Sequence, residues 1–310
     1  MEQILITEKS ADYELLDSGD RQKLERFGQV VLSRPDPQAL WTRSLGETDW
    51  QKADAVYTRG AGPAGKWAIK EVSKTVFDTE DWKVILEGLT FSLKLLPSKH
   101  VGVFPEQSAH WKWLSEKIKM QIKPPRSDLG NSRSKGQTFG KISVLNLFGY
   151  TGGATLACAK AGAEVVHVDS SEWAVNQAKE NAKLSELDEK PVRFIVDDVR
   201  KFVEREIKRG NKYDVILLDP PVYGKGEKKQ VWKIEEDLIP LLSRLKNLLS
   251  PEPLAIIING YSSVYSHITY AQLLRTILHD ISGSITSGEL AVKESSGRLL
   301  PSGIFARWEK

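Results

Sequence analysis

A chain of 310 residues, 40% hydrophobic and 27% charged, has room for two folded domains and the composition of an ordinary globular protein. Its net charge of +3 permits a nucleic-acid partner without requiring one. The single cysteine, Cys158, excludes a disulfide framework and a cysteine-built zinc site and fits a reducing, cytoplasmic compartment; no metal is expected. No stretch approaches a continuous apolar span of membrane length, and the first residues, MEQILITEK, lack the basic-then-apolar layout of a secretion signal.

Residues 1–100 read as a small, mostly antiparallel β domain. Short β-like runs at Gln3 to Thr7, Tyr13 to Leu16, Leu24 to Phe27 and Gln29 to Leu32 are separated by the turn Asp17-Ser18-Gly19-Asp20 and stopped by Arg34-Pro35-Asp36-Pro37. The pattern resumes at Trp67 to Lys70, Trp82 to Leu86 and Thr90 to Leu95. Trp41, Trp50, Trp67 and Trp82 are expected in the core or at a domain interface, with base stacking as the minority alternative. Gly60 to Gly65 matches G-x-G-x-x-G in letters, but Pro63 interrupts it and no helix follows, so it reads as a loop.

Residues 101–140 read as a connection. His100 to Gln107 is expected to be a strand ending in a polar turn, and Ser108 to Met120 an amphipathic helix with Trp111, Leu114 and Ile118 on one face. Lys123 to Gly136 is rich in Pro, Ser, Gly and basic residues and reads as a solvated linker.

From Lys141 the alternation is regular, and residues 141–310 read as one α/β domain. Strands are predicted at Ile142–Leu147, Glu164–Val168, Val192–Val196, Tyr213–Leu218 and Ala255–Ile258. Helices are predicted at Ala154–Ala161, Trp173–Leu184, Val199–Arg209, Leu238–Leu249 and near Ala271–His279. Apolar strands alternating with helices imply a mostly parallel sheet covered on both faces. Glu289–Lys293 and Ile304–Trp308 are expected to add an antiparallel pair at its edge, completing a seven-stranded Rossmann-like sheet.

In such a sheet ligands sit at the carboxyl ends of the strands. Four ends carry polar or special residues. The first is the glycine loop from Phe148 through Gly149, Tyr150, Thr151 and Gly152 to Gly153, following Asn146-Leu147. The second is Asp169 with Ser170, the third Asp197-Asp198 before Val199, and the fourth Asp219-Pro220-Pro221-Val222-Tyr223. A dinucleotide fingerprint needs G-x-G-x-x-G, and the turn here is G-Y-T-G-G. With Asp-Pro-Pro at a later strand end, the set reads as an S-adenosylmethionine site of a class I methyltransferase. The glycine-loop amides approach the methionine part, Asp169 accepts from the ribose hydroxyls, Asp198 accepts the adenine amine, and the Val199 amide donates to the ring.

L-N-L-F-G-Y-T-G-G, V-D-S-S at 168–171, D-D-V at 197–199, L-D-P-P-V-Y at 218–223 and V-G-V-F-P-E-Q at 101–107 resemble the ribosomal RNA large-subunit methyltransferase I/K-like family. The N-terminal L-D-S-G-D, L-E-R-F and R-P-D-P-Q-A-L-W resemble a bacterial subgroup of related enzymes, so the resemblance covers nearly the whole chain. It implies a β domain ahead of the catalytic domain, and Phe104 and Gln107 near the cofactor. Family members acting on cytosine carbon-5 carry a cysteine after the fifth strand; this chain has Asn259-Gly260-Tyr261-Ser262 there.

The expected function is methyl transfer from S-adenosylmethionine to a nitrogen of a base in RNA, ribosomal RNA foremost, without a covalent cysteine intermediate. Asp219, Pro220, Pro221, Tyr223 and Asn259 are expected at the acceptor: Asp219 orients an amine, the two prolines free carbonyls toward the pocket, Tyr223 stacks on a flat acceptor, and Asn259 holds a ring edge. Asn146, Phe148 and Ser170 complete the cofactor set. The alternatives are a small-molecule or protein acceptor, and an inactive RNA-binding member of the fold.

Overall fold

The computed structural model describes residues 2–60, 65–78, 81–122, 141–226, 231–261 and 265–310. The glycine-rich segment at 61–64, the basic segment at 123–136 and Ser262 lie outside the described residues.

In chain order the strands and helices are β1 (Glu2–Thr7), β2 (Tyr13–Gly19), β3 (Gln22–Phe27), β4 (Val30–Pro35), α1 (Glu47–Trp50), β5 (Ala55–Arg59), β6 (Gly65–Ile69), α2 (Lys74–Asp78), β7 (Lys83–Leu86), β8 (Leu89–Ser92) and α3 (Ser108–Ile122). They continue with β9 (Ser143–Leu147), α4 (Gly153–Lys160), β10 (Glu164–Asp169), α5 (Glu172–Leu184), β11 (Val192–Val196), α6 (Val199–Arg209), β12 (Val215–Leu218), β13 (Tyr223–Lys225) and β14 (Val231–Lys233). The last are α7 (Ile234–Leu245), β15 (Ala255–Gly260), α8 (His267–Ile277), β16 (Ser284–Lys293) and β17 (Leu299–Glu309).

The large sheet runs β1-β16-β17-β15-β12-β9-β10-β11. Strands β15, β12, β9, β10 and β11 are mutually parallel, and β17 is antiparallel to both β15 and β16. Alternating side chains of these strands enter two different cores, which is why the sequence shows continuous apolar runs. Leu145, Ile216, Leu218, Ile256 and Ile258 pack under α6, α7 and α8. Val144, Val165, Val215, Leu217 and Ile257 pack under α3 and α4. A second sheet, β2-β3-β4-β5-β6, and the β7–β8 hairpin share a third core with α3, α4 and α5 through Phe91, Trp111, Leu156 and Ala182.

Three expectations about the chain are corrected. The sheet has eight strands, because β1 leaves the N-terminal region and pairs in parallel with β16. The partner lies almost the whole chain away, and Gly288 is what admits it: a Cβ there would sit 1.7 Å from the Gln3 carbonyl oxygen. Residues 101–107 form no strand; Gly102 takes φ +102°, and Pro105 opens a single 3-10 turn to Gln107. A left-handed glycine and a residue without an N–H both interrupt a ladder. Strand β4 continues through Arg34 to Pro35, and β5, unpredicted, lies parallel beside it.

The four tryptophans of residues 1–100 spend their indole N–H inside the fold. Trp41 donates to the Ser18 carbonyl, Trp50 to Asp17, Trp67 to the Leu96 carbonyl and Trp82 to the Phe27 carbonyl.

Candidate active site

The carboxyl ends of β9, β10, β11, β12 and β15 open into a cleft of about 340 Å³. Its lining contains Phe104, Gln107, Asn146, Phe148, Gly149, Tyr150, Thr151, Gly152, Asp169, Ser170, Asp198, Val199, Asp219, Pro220, Pro221 and Asn259. Of the residues given a cofactor or acceptor role from the sequence, Tyr223 alone stays off this lining. It stands on β13 and is 54% exposed.

The glycine loop is held by two close approaches. A Cβ on Gly149 would lie 2.5 Å from the His167 ring, and one on Gly153 only 2.2 Å from Trp111. Gly152 sits at φ +94°, and Phe148 and Tyr150 are in the left-handed region at +56° and +48°. Non-glycine residues held there are a store of local strain, which recurs at ligand sites. Under the loop, the Asn146 amide donates to Thr155 Oγ1 at 2.8 Å, and Thr155 meets His167 Nδ1 at 2.9 Å. From above, Asn181 donates to the Thr151 carbonyl at 2.9 Å, and Thr151 Oγ1 donates to the Gly102 carbonyl at 2.5 Å.

Asp169 Oδ2 accepts the Tyr150 amide, and Oδ1 accepts the Ser171 amide, each at 2.9 Å. Burial raises its pKa, and these amides oppose the shift. Asp198 caps α6 by accepting the Arg200 amide at 2.9 Å. It also takes a forked contact from the Arg200 guanidinium, 3.1 Å to Oδ1 and 2.6 Å to Oδ2. Burial works to raise its pKa, but Arg200 wins and holds the carboxyl below its usual range. Arg200 was not visible as a site residue in the sequence, although a basic residue two positions after an N-cap is the signal.

At the other end, Gln107 Nε2 donates to Asp219 Oδ2 at 3.1 Å, and Gln107 Oε1 accepts from Asn259 Nδ2 at 2.9 Å. Gln107 thus bridges two strand ends. Burial, then the neighbouring Glu106 carboxyl, push Asp219 up to about 7. The expected free carbonyls of the proline pair are corrected in part: the Pro221 carbonyl is taken by Trp232 Nε1 at 2.7 Å. Trp232, on β14, meets Phe148 edge-on at 4.8 Å and so ties the Asp-Pro-Pro loop to the glycine loop. Further lining residues without a sequence signal are His100, His110, Trp111 and Tyr261.

A family model described as S-adenosylmethionine-dependent methyltransferase matches residues 126–265. A crystal structure of the SAM-dependent methyltransferase from Agrobacterium tumefaciens is 37% identical, covers 99% of this chain and 93% of that one, and superposes with a TM-score of 0.88. The chain belongs to the S-adenosylmethionine-dependent methyltransferases. Among curated relatives, ribosomal RNA large subunit methyltransferase I from Aeromonas salmonicida is 45% identical over 85 residues, which is 27% of this chain and 22% of that protein. The matched segment therefore spans about a fifth of the length of such relatives. A putative SAM-dependent methyltransferase from Streptococcus mutans, at 15% identity and TM-score 0.67 over 96% of this chain and 75% of that one, shares the fold.

The cofactor of the family is S-adenosylmethionine, and the cleft of this methyltransferase fits it. Glycines at 149, 152 and 153 let the loop backbone close onto His167, Ala178 and Trp111 at the edge of the cleft, Asp169 projects from the end of β10, and the buried Tyr150 hydroxyl has no partner among the described residues. Among the described residues, no three His, Cys, Asp or Glu side chains converge as a metal centre requires. No described helix is long and apolar enough to cross a membrane.

Proposed function

We propose that this chain methylates a nitrogen of a base in RNA, ribosomal RNA first, with Asp219 as the proton acceptor and no covalent cysteine intermediate. The observation that carries the reading is Asp219 itself, a carboxylate at a strand end inside the cofactor cleft, pushed by burial to about 7. A base works best when its pKa lies near the working pH.

S-adenosylmethionine supplies an electrophilic sulfonium methyl when bound. The chain's own residues do the rest. Asp169 accepts from the ribose hydroxyls. The free capacity of Asp198 and the amide of Val199 hold the adenine edge. Phe104, beside Tyr150 with ring centroids 5.3 Å apart, walls the cofactor. Gln107 fixes one oxygen of Asp219, and the other receives the proton of the attacking amine. Pro220 and Pro221 stiffen that loop. Much of the rate comes from alignment of donor and acceptor, since a nitrogen lone pair needs no prior activation. Tyr223 is a stacking platform on the rim of the cleft, not in it.

Carbon-5 of a pyrimidine would need a thiolate beside the acceptor. Cys158 is fully buried on α4, among Ala159, Leu114 and Val144, and burial pushes its thiol up to about 12. That is an inert packing thiol. The RNA reading is supported by the ribosomal RNA methyltransferases among the curated relatives and by the basic balance of the chain, and RNA in turn makes the cytoplasm the expected compartment.

The test is transfer of labelled methyl from S-adenosylmethionine to unmodified large-subunit ribosomal RNA, a soluble-protein extract and a metabolite extract, followed by digestion of the labelled RNA to nucleosides. Label in an N-methyl nucleoside is expected, with Cys158→Ser still active. Label only in protein or metabolites, or a covalent adduct with 5-fluoropyrimidine RNA, would overturn it.

A further inference from the structure

Asp198 and Val199 line the cleft from the loop after β11, and Gly224, Gly226 and Trp232 line it from the β13–β14 hairpin. One side chain off the lining touches both parts. Arg200 gives Nε and Nη2 to the Asp198 carboxylate, at 3.1 and 2.6 Å. Its Nη1 donates to the Val231 carbonyl of β14 at 3.0 Å and to Asp237 Oδ1, in the first turn of α7, at 2.8 Å. Asp237 Oδ2 in turn accepts the Lys233 amide at 2.9 Å. The residues on either side of Trp232 are thus both held by this network. Trp232 itself donates to the Pro221 carbonyl and meets Phe148 of the glycine loop. A continuous run of contacts therefore joins the carboxylate placed on the adenine amine to the loop that carries Asp219.

Helix α6 does not need this guanidinium. Asp198 already caps it by accepting the Arg200 backbone amide, which is all that an N-cap requires. The hairpin does need support. Its strands pair over three residues each, and among the described residues neither pairs with any other strand. A lone two-stranded hairpin is marginal in water. Its anchors are the Arg200 bond to Val231, the Trp232 indole, and the bond from the Ile234 amide to the Val222 carbonyl. A guanidinium is a rigid planar fork, so turning the Asp198 carboxylate turns the whole fork and the Nη1 end with it. An adenine amine donating to Asp198 pins that carboxylate in one orientation. The Asp198 side chain is 8% exposed and that of Arg200 26%, so water competes weakly for their contact.

We propose that Arg200 is a positioning residue that couples the two ends of the cleft: cofactor held at Asp198 seats the β13–β14 hairpin on the acceptor side, and the seated hairpin holds the cofactor. Coupling between two binding events is reciprocal. The inference deepens the function proposed above and rests on it for the placement of Asp198 on adenine.

The test follows amide hydrogen exchange of the full chain at residues 223–225 and 231–234. The ligands are S-adenosylhomocysteine and S-inosylhomocysteine, in which a carbonyl replaces the adenine amine, each at saturating concentration. S-adenosylhomocysteine is expected to slow exchange of the hairpin about fivefold or more, and S-inosylhomocysteine to slow it much less. Arg200→Lys keeps the charge and loses the fork. It should still bind S-adenosylhomocysteine and still show slowed exchange in the glycine loop at 149–153, but the hairpin should no longer respond. Asp237→Ala, which leaves the Asp198 contact intact, should lose part of the hairpin response from the other end and serves if Arg200→Lys fails to fold. A hairpin response that is equal for the two ligands would overturn the proposal. So would an Arg200→Lys protein whose hairpin exchanges faster with and without ligand by the same factor, since that is the mark of a purely structural arginine. Equal affinity for the two ligands would overturn the adenine placement of Asp198, and this proposal with it.

Discussion

Asp219 and Asp169 are both buried carboxylates at strand ends, yet their surroundings divide their roles. Asp169 has two amides at 2.9 Å to stabilise its charge. Asp219 has one amide contact, from Gln107, and Glu106 beside it. Its raised pKa sets the sign of a pH effect: only the ionised form accepts a proton, so turnover should rise as pH passes about 7 and level off above it. Asp219→Asn should abolish that limb together with most of the turnover. A flat profile through neutrality, in assays of initial rate, would remove Asp219 as the base. On the proposed placement, Asp169→Ala removes two charge-assisted hydrogen bonds to the ribose, each worth roughly 1.5–3 kcal/mol. Calorimetry with S-adenosylhomocysteine should show a weakening of about tenfold or more; unchanged affinity would count against its placement on the ribose. These carboxylates were legible in the sequence because each closes an apolar strand. His110 was not, since a histidine among Trp111, Leu114 and Ile118 reads as core. Its cleft contact depends on α3 lying over β12 and β15, which no local pattern encodes.

Whole elements were legible where the period was sustained and illegible where a partner was remote. The five parallel strands and their helices follow from apolar runs between glycine and polar turns. Strand β1 is as apolar as its neighbours, but its pairing with β16 depends on one glycine at 288. The segment at 101–107 read as a strand from its valines; Gly102 and Pro105 made it a connector that clamps Thr151. The contact between α3 and α4 is another glycine-controlled approach. Gly153→Ala would drive a methyl into the Trp111 ring, 2.2 Å away. Overpacking of this kind costs about 1–3 kcal/mol. Denaturant unfolding should show that loss, with weaker cofactor binding because the loop starts α4; full stability would mean that α3 shifts freely. The β13–β14 hairpin carries Tyr223 beside the cleft rather than in it. Tyr223→Ala should raise the acceptor KM several-fold and leave S-adenosylhomocysteine affinity intact, whereas collapse of cofactor binding would make the hairpin structural.

At the scale of the whole molecule, one arginine joins the N-terminal sheet to the edge of the large one. Arg298 lies in the turn between β16 and β17. Its Nη2 donates to Asp17 Oδ1 at 2.8 Å and to the Ser18 carbonyl at 2.7 Å, and its Nε donates to Glu294 Oε1 at 3.0 Å. Asp17 and Glu294 are 0% and 2% exposed, on β2 and at the start of that turn. Asp17 also accepts the Ser44 and Leu45 amides and the Trp50 indole, and Glu294 accepts Ser18 Oγ at 2.6 Å. Two buried carboxylates therefore share one cation, and the network spans most of the sequence. None of this is visible locally: Asp17-Ser18-Gly19-Asp20 reads as a turn, whereas Asp17 to Gly19 are strand. Removing the cation leaves both carboxylates buried without a countercharge, which costs about 3–5 kcal/mol, more than the pair itself contributes. Arg298→Ala should lose stability on that scale in denaturant unfolding. A double change, Arg298→Met with Glu294→Gln, removes one charge of each sign and should recover part of the loss. None of Asp17, Ser18, Glu294 and Arg298 lines the cleft, so cofactor affinity per folded molecule should hold. An Arg298→Ala protein as stable as its parent would show that water or another cation satisfies the two carboxylates.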